Sequence, residues 1–111
     1  MSQTSPEPAT VICHYRVKPD REAELLALIR RHEEVVRRLA FATDEPTRLY
    51  RGRDEKERPY FVKIFEWRPG AVERAHEHPE VLSVWERMEP LCEPRDGRPG
   101  MEFPHVELVN L

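Results

Sequence analysis

Two tryptophans and two histidines occur in the stretch from Phe61 to Pro90, which reads FVKIFEWRPGAVERAHEHPEVLSVWERMEP. His76 falls in a helical segment between Trp67 and Trp85. An imidazole gains and loses a proton near neutral pH, and indole rings offer flat apolar surfaces. This combination predicts a site that holds a flat molecule and moves a proton, with His76 as a candidate acid or base.

The pair His76 and His78 also raises a metal-binding hypothesis. Two metal ligands on one helix face are normally spaced i,i+4, whereas these histidines are separated by a single residue. Glu77 and Glu80 lie nearby, but the spacing fixes no third ligand. We therefore assign no metal site, and we interpret His78, which precedes Pro79, as a surface or helix-breaking residue.

Alternating apolar residues predict strands over Thr10–Val17 and Tyr60–Trp67. Side chains two residues apart share one face of a strand, so each strand presents one set of residues to the helices. The residues placed on that helix-facing side are Cys13, Tyr15, Phe65 and Trp67. They predict a mostly apolar cavity with a few polar groups, which is the general form of a small-molecule site.

Helical spacing of apolar residues predicts a first helix over Arg21–Ala40, with His32 on its apolar stripe. Two further helical segments, Ala71–His78 and Glu80–Glu89, are separated by Pro79. The second of them carries Trp85 on its apolar face. Each candidate also has a plainer interpretation: His32 as a buried, hydrogen-bonded imidazole, and Tyr15, Trp67 and Trp85 as core packing.

The remaining strands are predicted over Thr47–Arg53 and Phe103–Asn110, with a Pro- and Gly-rich loop over Glu93–Glu102. The order β-α-β-β-α-β predicts an α+β, ferredoxin-like fold, with a four-stranded antiparallel sheet and helices on one face. The 111 residues suit one domain. We assign it to residues 10–111, after a disordered lead-in over residues 1–9.

The second face of this sheet carries Tyr60, Val62 and Ile64, with His14 and Arg16 beside them. No element of the predicted fold is left to cover it. An uncovered apolar sheet face predicts a partner, most simply the same face of a second copy, and therefore a homodimer.

Composition and motifs argue against several classes of protein. The net charge is −3 and the isoelectric point about 6.0, which gives no electrostatic reason to expect nucleic acid. No apolar run approaches the roughly 20 residues of a membrane span, and the first residues contain no signal-like apolar segment, so we expect a cytoplasmic protein. The two cysteines, Cys13 and Cys92, are interpreted as small buried thiols. There is no glycine-rich phosphate loop, and no cofactor is expected.

The chain resembles the antibiotic biosynthesis monooxygenase-like proteins of the dimeric α/β barrel superfamily. The resemblance covers about residues 10–110 and depends on VKPDREAELLAL at Val17–Leu28, on Phe65-Glu66-Trp67, and on His76 with His78-Pro79. It implies two sheets facing each other in a homodimer, with a site between sheet and helices in each subunit. Some relatives oxidise aromatic polyketides with O2 and no cofactor.

By this resemblance His76 or His32 acts as the base and Tyr15 as a hydrogen-bond partner. The residues expected to contact the substrate are Trp67, Phe65, Cys13 and Trp85. The implied function is a small cofactor-independent monooxygenase that acts on an aromatic or quinol-like molecule. The alternative is a non-catalytic or stress-related module that binds a small apolar ligand.

A heme-degrading branch of the same family places an asparagine in the first strand and an iron-binding histidine late in the second helix. Cys13 occupies the first of these positions, and Trp85-Glu86 the second. The resemblance therefore disfavours heme degradation.

Overall fold

Two long antiparallel strands form the centre of the fold. The structure is a computed structural model that describes residues 7–111. Strand β1, Ala9–Tyr15, pairs with β3, Pro59–Trp67, in a register that runs from Ala9 opposite Trp67 to Tyr15 opposite Phe61. Buried and half-buried residues alternate along both strands, as the period-two pattern predicts.

Shorter strands extend the sheet on both sides. Strand β2, Arg48–Arg53, pairs with β3 and forms one edge. Strands β4, Met101–Glu102, and β5, His105–Val106, both pair with β1 on the other side. The resulting order is β2-β3-β1-β4, with every pairing antiparallel.

Three α-helices cover one face of the sheet: α1, Glu22–Arg38, α2, Ala71–Glu77, and α3, Pro79–Met88. A 3-10 turn over Pro19–Arg21 leads into α1, so this helix is slightly shorter than predicted. Pro79 opens α3 at its first position, where the missing N–H costs no hydrogen bond. The side chains that α1 buries against the sheet are Leu25, Ile29, His32, Val35 and Val36.

This arrangement confirms the predicted α+β, ferredoxin-like fold. The last strand, however, was predicted wrongly as one continuous strand over Phe103–Asn110. The structure has β4 and β5 instead, separated at Pro104, and Leu108, Val109 and Leu111 are exposed beyond them. The backbone N–H of Ile12 donates to the Pro104 carbonyl at 2.9 Å. Proline has no N–H to return that bond, so the ladder is interrupted there.

The predicted disordered lead-in, residues 1–9, lies mostly outside the described residues. Within the described part, Ala9 already begins β1, so the lead-in was assigned too long at that end. None of the helices in residues 7–111 has both the length and the apolar character needed to cross a lipid bilayer.

The two faces of the sheet differ as predicted. On the helix-facing side, Cys13, Tyr15, Phe65 and Trp67 are all buried. On the opposite face Tyr60, Val62 and Ile64 are only half-buried, and Tyr50 next to Val62 in the register is 50% exposed. The cavity described next lies on the covered side.

Candidate functional site

A cavity of about 350 Å³ lies between the sheet and helices α2 and α3. This volume falls in the range of roughly 300–1,000 Å³ typical of small-molecule sites. The structure brings all seven predicted site residues to its wall: Cys13, Tyr15, His32, Phe65, Trp67, His76 and Trp85. Their assembly at one cavity follows from the strand faces and helix stripes assigned from the sequence.

Aromatic rings form most of the inner wall. Phe65 and Trp67, adjacent positions on the buried face of β3, have ring centroids 4.8 Å apart. Trp85 projects from α3, and its ring centroid lies 4.9 Å from that of His76 on α2. A flat apolar ligand can contact these rings by their faces or edges, as aromatic pairs do in protein interiors.

His32 enters the cavity wall from α1 and is 2% exposed. Its ring stacks on Trp85 with 25° between the planes and a centroid separation of 5.7 Å. Burial lowers the pKa of His32 well below its ordinary value, and the charge of Lys63 lowers it further. The imidazole is therefore neutral at physiological pH, with one nitrogen protonated.

Lys63 is a buried neighbour of His32 that the sequence analysis did not assign to the site. Its side chain is 1% exposed, and its Nζ lies 2.9 Å from His32 Nδ1 and 4.7 Å from the centre of the Phe65 ring. Burial lowers the pKa of Lys63. A signal was present in the sequence, because Lys63 interrupts the apolar alternation on the same face as Phe61 and Phe65. A lysine at an inward strand position needs a polar partner.

Two groups on β1 complete the buried polar set. Burial raises the pKa of the Cys13 thiol. The pKa of the Tyr15 hydroxyl is raised well above its usual value, mainly by burial and to a smaller extent by the nearby Cys13. Tyr15 is 1% exposed. Among the residues that the structure describes, neither the Tyr15 hydroxyl nor His32 Nε2 has a hydrogen-bond partner.

The two histidines of the HxH pair separate in the structure. His76 is exposed, and its ring lines the mouth of the cavity against Trp85. His78 caps α3, where its Nδ1 accepts a hydrogen bond of 3.2 Å from the backbone N–H of Glu80. The ring of His78 lies near Phe41 rather than at the cavity. The interpretation of His78 as a local helix-boundary residue therefore fits its position.

Part of the wall comes from the C-terminal segment, which sequence reasoning did not assign to the site. Phe103 lies between β4 and β5 with its ring centroid 6.1 Å from Tyr15 and 6.4 Å from Trp85. The prediction of a regular strand beginning at Phe103 gave no reason for it to face the helices. The further lining residues are Val11, Val72, Leu82, Glu86, Glu89, Met101 and His105.

Comparison with known proteins extends this description. No protein-family model matches the sequence, and no curated protein matches it. A candidate antibiotic biosynthesis monooxygenase from Caulobacter crescentus CB15 has a similar structure, with a TM-score of 0.67 and 11% identity over 95% of this chain and 92% of that one. A second candidate of the same name from Bacteroides thetaiotaomicron gives a TM-score of 0.59 and 14% identity over 95% of this chain and 90% of that one.

A dimeric ferredoxin-like protein of unknown function from Jannaschia sp. CCS1 is similar at a TM-score of 0.62 and 17% identity. The alignment covers 91% of this chain and 99% of that protein. These likenesses confirm, at the level of the fold, the resemblance to antibiotic biosynthesis monooxygenase-like proteins.

Proposed function

We propose that this protein is a small cofactor-independent monooxygenase that oxidises a flat aromatic or quinol-like molecule held in the cavity under Trp67. The observation that carries the proposal is a cavity with aromatic walls, lined also by an exposed imidazole and by two side chains whose buried polar atoms have no partner among the described residues. Two structures that share the fold bear the name of antibiotic biosynthesis monooxygenases, which supports the same reaction class.

In this proposal His76 is the base that removes a proton from the substrate. It lies at the exposed mouth of the cavity, where a proton accepted from a substrate passes on to water. His32 is less suited to this task because its burial disfavours the protonated ring. The proposal therefore prefers His76 to His32, the two histidines between which the resemblance left the choice open.

The chemistry needs no external electron donor. For a methylene carbon between two aromatic rings, as in an anthrone, proton removal gives a delocalised anion that transfers an electron to O2. Combination of the resulting radicals forms a C–O bond, and loss of water from the hydroperoxide gives the ketone. The carbon loses four electrons and O2 gains four, with one oxygen atom in the product and one in water. The protein contributes binding, orientation and deprotonation.

The same proposal includes a homodimer formed through the sheet face of Tyr60, Val62 and Ile64. These side chains are half-buried in the single chain, and neighbouring Tyr50 is exposed. A second copy placed on this face buries apolar surface without obstructing the cavity, which lies on the other side of the sheet. The dimeric Jannaschia protein of the same fold supports this assembly.

Oxygen uptake with a panel of anthrones and quinols tests the function, and His78→Ala provides a matched control for His76→Ala. We expect turnover by the wild type, and a loss of about 100-fold or more in kcat for His76→Ala alone, as for other general bases. Equal rates for the two variants would remove His76 from the mechanism. Binding of these compounds without oxygen uptake would instead favour the non-catalytic binding module.

A further inference from the structure

Two buried polar atoms of side chains that line the cavity have no partner in the described part of the chain. They are the hydroxyl of Tyr15 and Nε2 of His32, which belong to side chains that are 1% and 2% exposed. An unsatisfied buried polar group destabilises the fold, and buried polar groups in native proteins are nearly always paired. The two side chains come from different elements, β1 and α1, and line the same apolar space. A ligand that supplies their partners accounts for both.

Lys63 determines which ring nitrogen of His32 carries the proton. An ammonium group has three donors and no acceptor, so the contact of 2.9 Å between Lys63 Nζ and His32 Nδ1 requires a lone pair on Nδ1. The single proton of the neutral ring then resides on Nε2. The position of Nζ, 4.7 Å from the centre of the Phe65 ring, is a favourable site for a positive charge. His32 therefore offers an N–H to the cavity.

Tyr15 offers a second donor. Burial raises the pKa of its phenol well above the usual value, so the hydroxyl keeps its proton at physiological pH. Cys13, on the same face of β1, is also kept neutral because burial raises its pKa. The interior of the cavity thus presents two neutral donors in front of a buried cation.

We propose that Tyr15 and His32 form a two-donor recognition site for the oxygen of a flat aromatic ketone, phenolate or enolate, with Lys63 as the positioning residue that makes His32 a donor. The inference rests on the proposed function for the identity of the cavity and specifies its substrate class. An oxygen that gains negative charge when the substrate is deprotonated is stabilised more strongly by these donors than the neutral oxygen is. A hydrocarbon of the same shape leaves both donors unpaired.

The test compares the planar ketone 9-fluorenone with the hydrocarbon fluorene, which differs from it in having no carbonyl oxygen. The chain has two tryptophans, and both line the cavity, so quenching of tryptophan emission reports binding. We expect wild type to bind fluorenone roughly tenfold more tightly than fluorene, as two hydrogen bonds of ordinary strength provide. In Tyr15→Phe this preference falls by several-fold, while fluorene binding is retained. This variant is suited to the test because the hydroxyl it removes has no partner in the described protein.

A spectroscopic readout isolates the contribution of Lys63. The 15N chemical shifts of the His32 ring distinguish an Nε2–H tautomer from an Nδ1–H tautomer. We expect a single Nε2–H form in wild type and a mixture of tautomers in Lys63→Met, together with a reduced preference for fluorenone. Equal affinity for the two probes, binding of neither, or an Nδ1–H tautomer in wild type would overturn the inference. Oxygen uptake is not part of this test, so its failure and that of the proposed reaction are separate results.

Discussion

The three histidines of the central region show how position determines what one residue type does. His32 is buried beside a lysine and has a pKa far below normal. His76 is exposed at the mouth of the cavity, and His78 accepts a backbone hydrogen bond at the start of α3. The sequence suggested that His32 and His76 belong to one site, because His32 falls on the apolar stripe of the first helix and His76 lies between Trp67 and Trp85. The bond between His32 and Lys63 was not predictable, because it depends on the depth at which α1 crosses β3.

Buried His32 makes stability depend on pH. Its pKa is near 6.5 in the unfolded chain and well below that in the native state, so below about pH 6.5 the unfolded state binds more protons. Stability is therefore fully present above pH 6.5 and falls as the pH decreases, by at most about 1.4 kcal/mol per pH unit from this group.

Urea unfolding at pH 7.5 and 5.5 measures this dependence, with His32→Asn as the control. Asparagine keeps an acceptor near the position of Nδ1 for Lys63 but does not titrate. We expect the wild type to lose more stability on acidification than this variant does. The variant retains the other titratable groups that line the cavity, namely Cys13, Tyr15, His76, Glu86, Glu89 and His105. Identical losses in the two proteins would show that His32 is accessible to protons in the native state.

Arg95 is buried, and its removal should lower the stability of the fold. Its guanidinium donates to the carbonyl of Pro59 at 2.7 Å and to the carbonyl of Val17, and it is paired with Glu93. Arg95→Ala leaves these carbonyls without donors, and we expect the free energy of unfolding to fall by about 2–4 kcal/mol. Arg98→Ala, at a side chain 66% exposed, should change it by less than about 0.5 kcal/mol. Chemical denaturation measures the free energy of unfolding of both variants. Equally small losses in Arg95→Ala and Arg98→Ala would contradict the prediction.

At the scale of elements, period-two alternation placed the residues that it assigned within β1 and β3 on their observed faces. This succeeded because one face of each strand is buried, which makes register and side-chain direction unambiguous. The same rule failed for the C-terminal segment, where Pro104 breaks the ladder and Phe103 enters the cavity wall. A proline inside a strand pattern is a warning of an interrupted edge, and the alternation alone does not show where the chain turns.

The boundary between α2 and α3 provides a prediction at this scale. His78 accepts the N–H of Glu80, so His78→Ala removes a helix cap and should lower the free energy of unfolding by about 0.5–1 kcal/mol. His76→Ala removes an exposed side chain and should change it by less than about 0.5 kcal/mol. Thermal or urea unfolding of the pair measures the difference. If His76→Ala were the more destabilising of the two variants, His76 would have a structural role rather than the proposed catalytic one.

For the whole molecule, the sheet separates two surfaces with different uses. One side encloses the cavity with the helices, and the other presents Tyr60, Val62 and Ile64. The sequence predicted this division, because no element remained to cover the second face. It did not predict the dimensions of the cavity, which depend on how far α2 and α3 stand from β3.

Assembly is tested by placing a charge on the open face. Val62→Asp introduces a carboxylate that a dimer would bury without a partner, so we expect monomers or insoluble protein from this variant. Ala27→Asp adds the same charge at an exposed position of α1 and should leave the dimer intact. Light scattering during size-exclusion chromatography reports the mass of each. A wild-type monomer, or a stable soluble dimer of Val62→Asp, would refute the proposed interface.

Strand β3 contributes to both surfaces at once, with Phe65 and Trp67 on one side and Ile64 and Glu66 on the other. Deleting a single residue near the middle of β3 would turn every side chain between the deletion and one end of the strand to the opposite face of the sheet. The indole of Trp67 would then face outward, and a carboxylate would point into the hydrophobic interior. The length of this strand is thus more tightly constrained than the identity of any one of its side chains, and viable variants should differ there by substitution rather than by insertion or deletion.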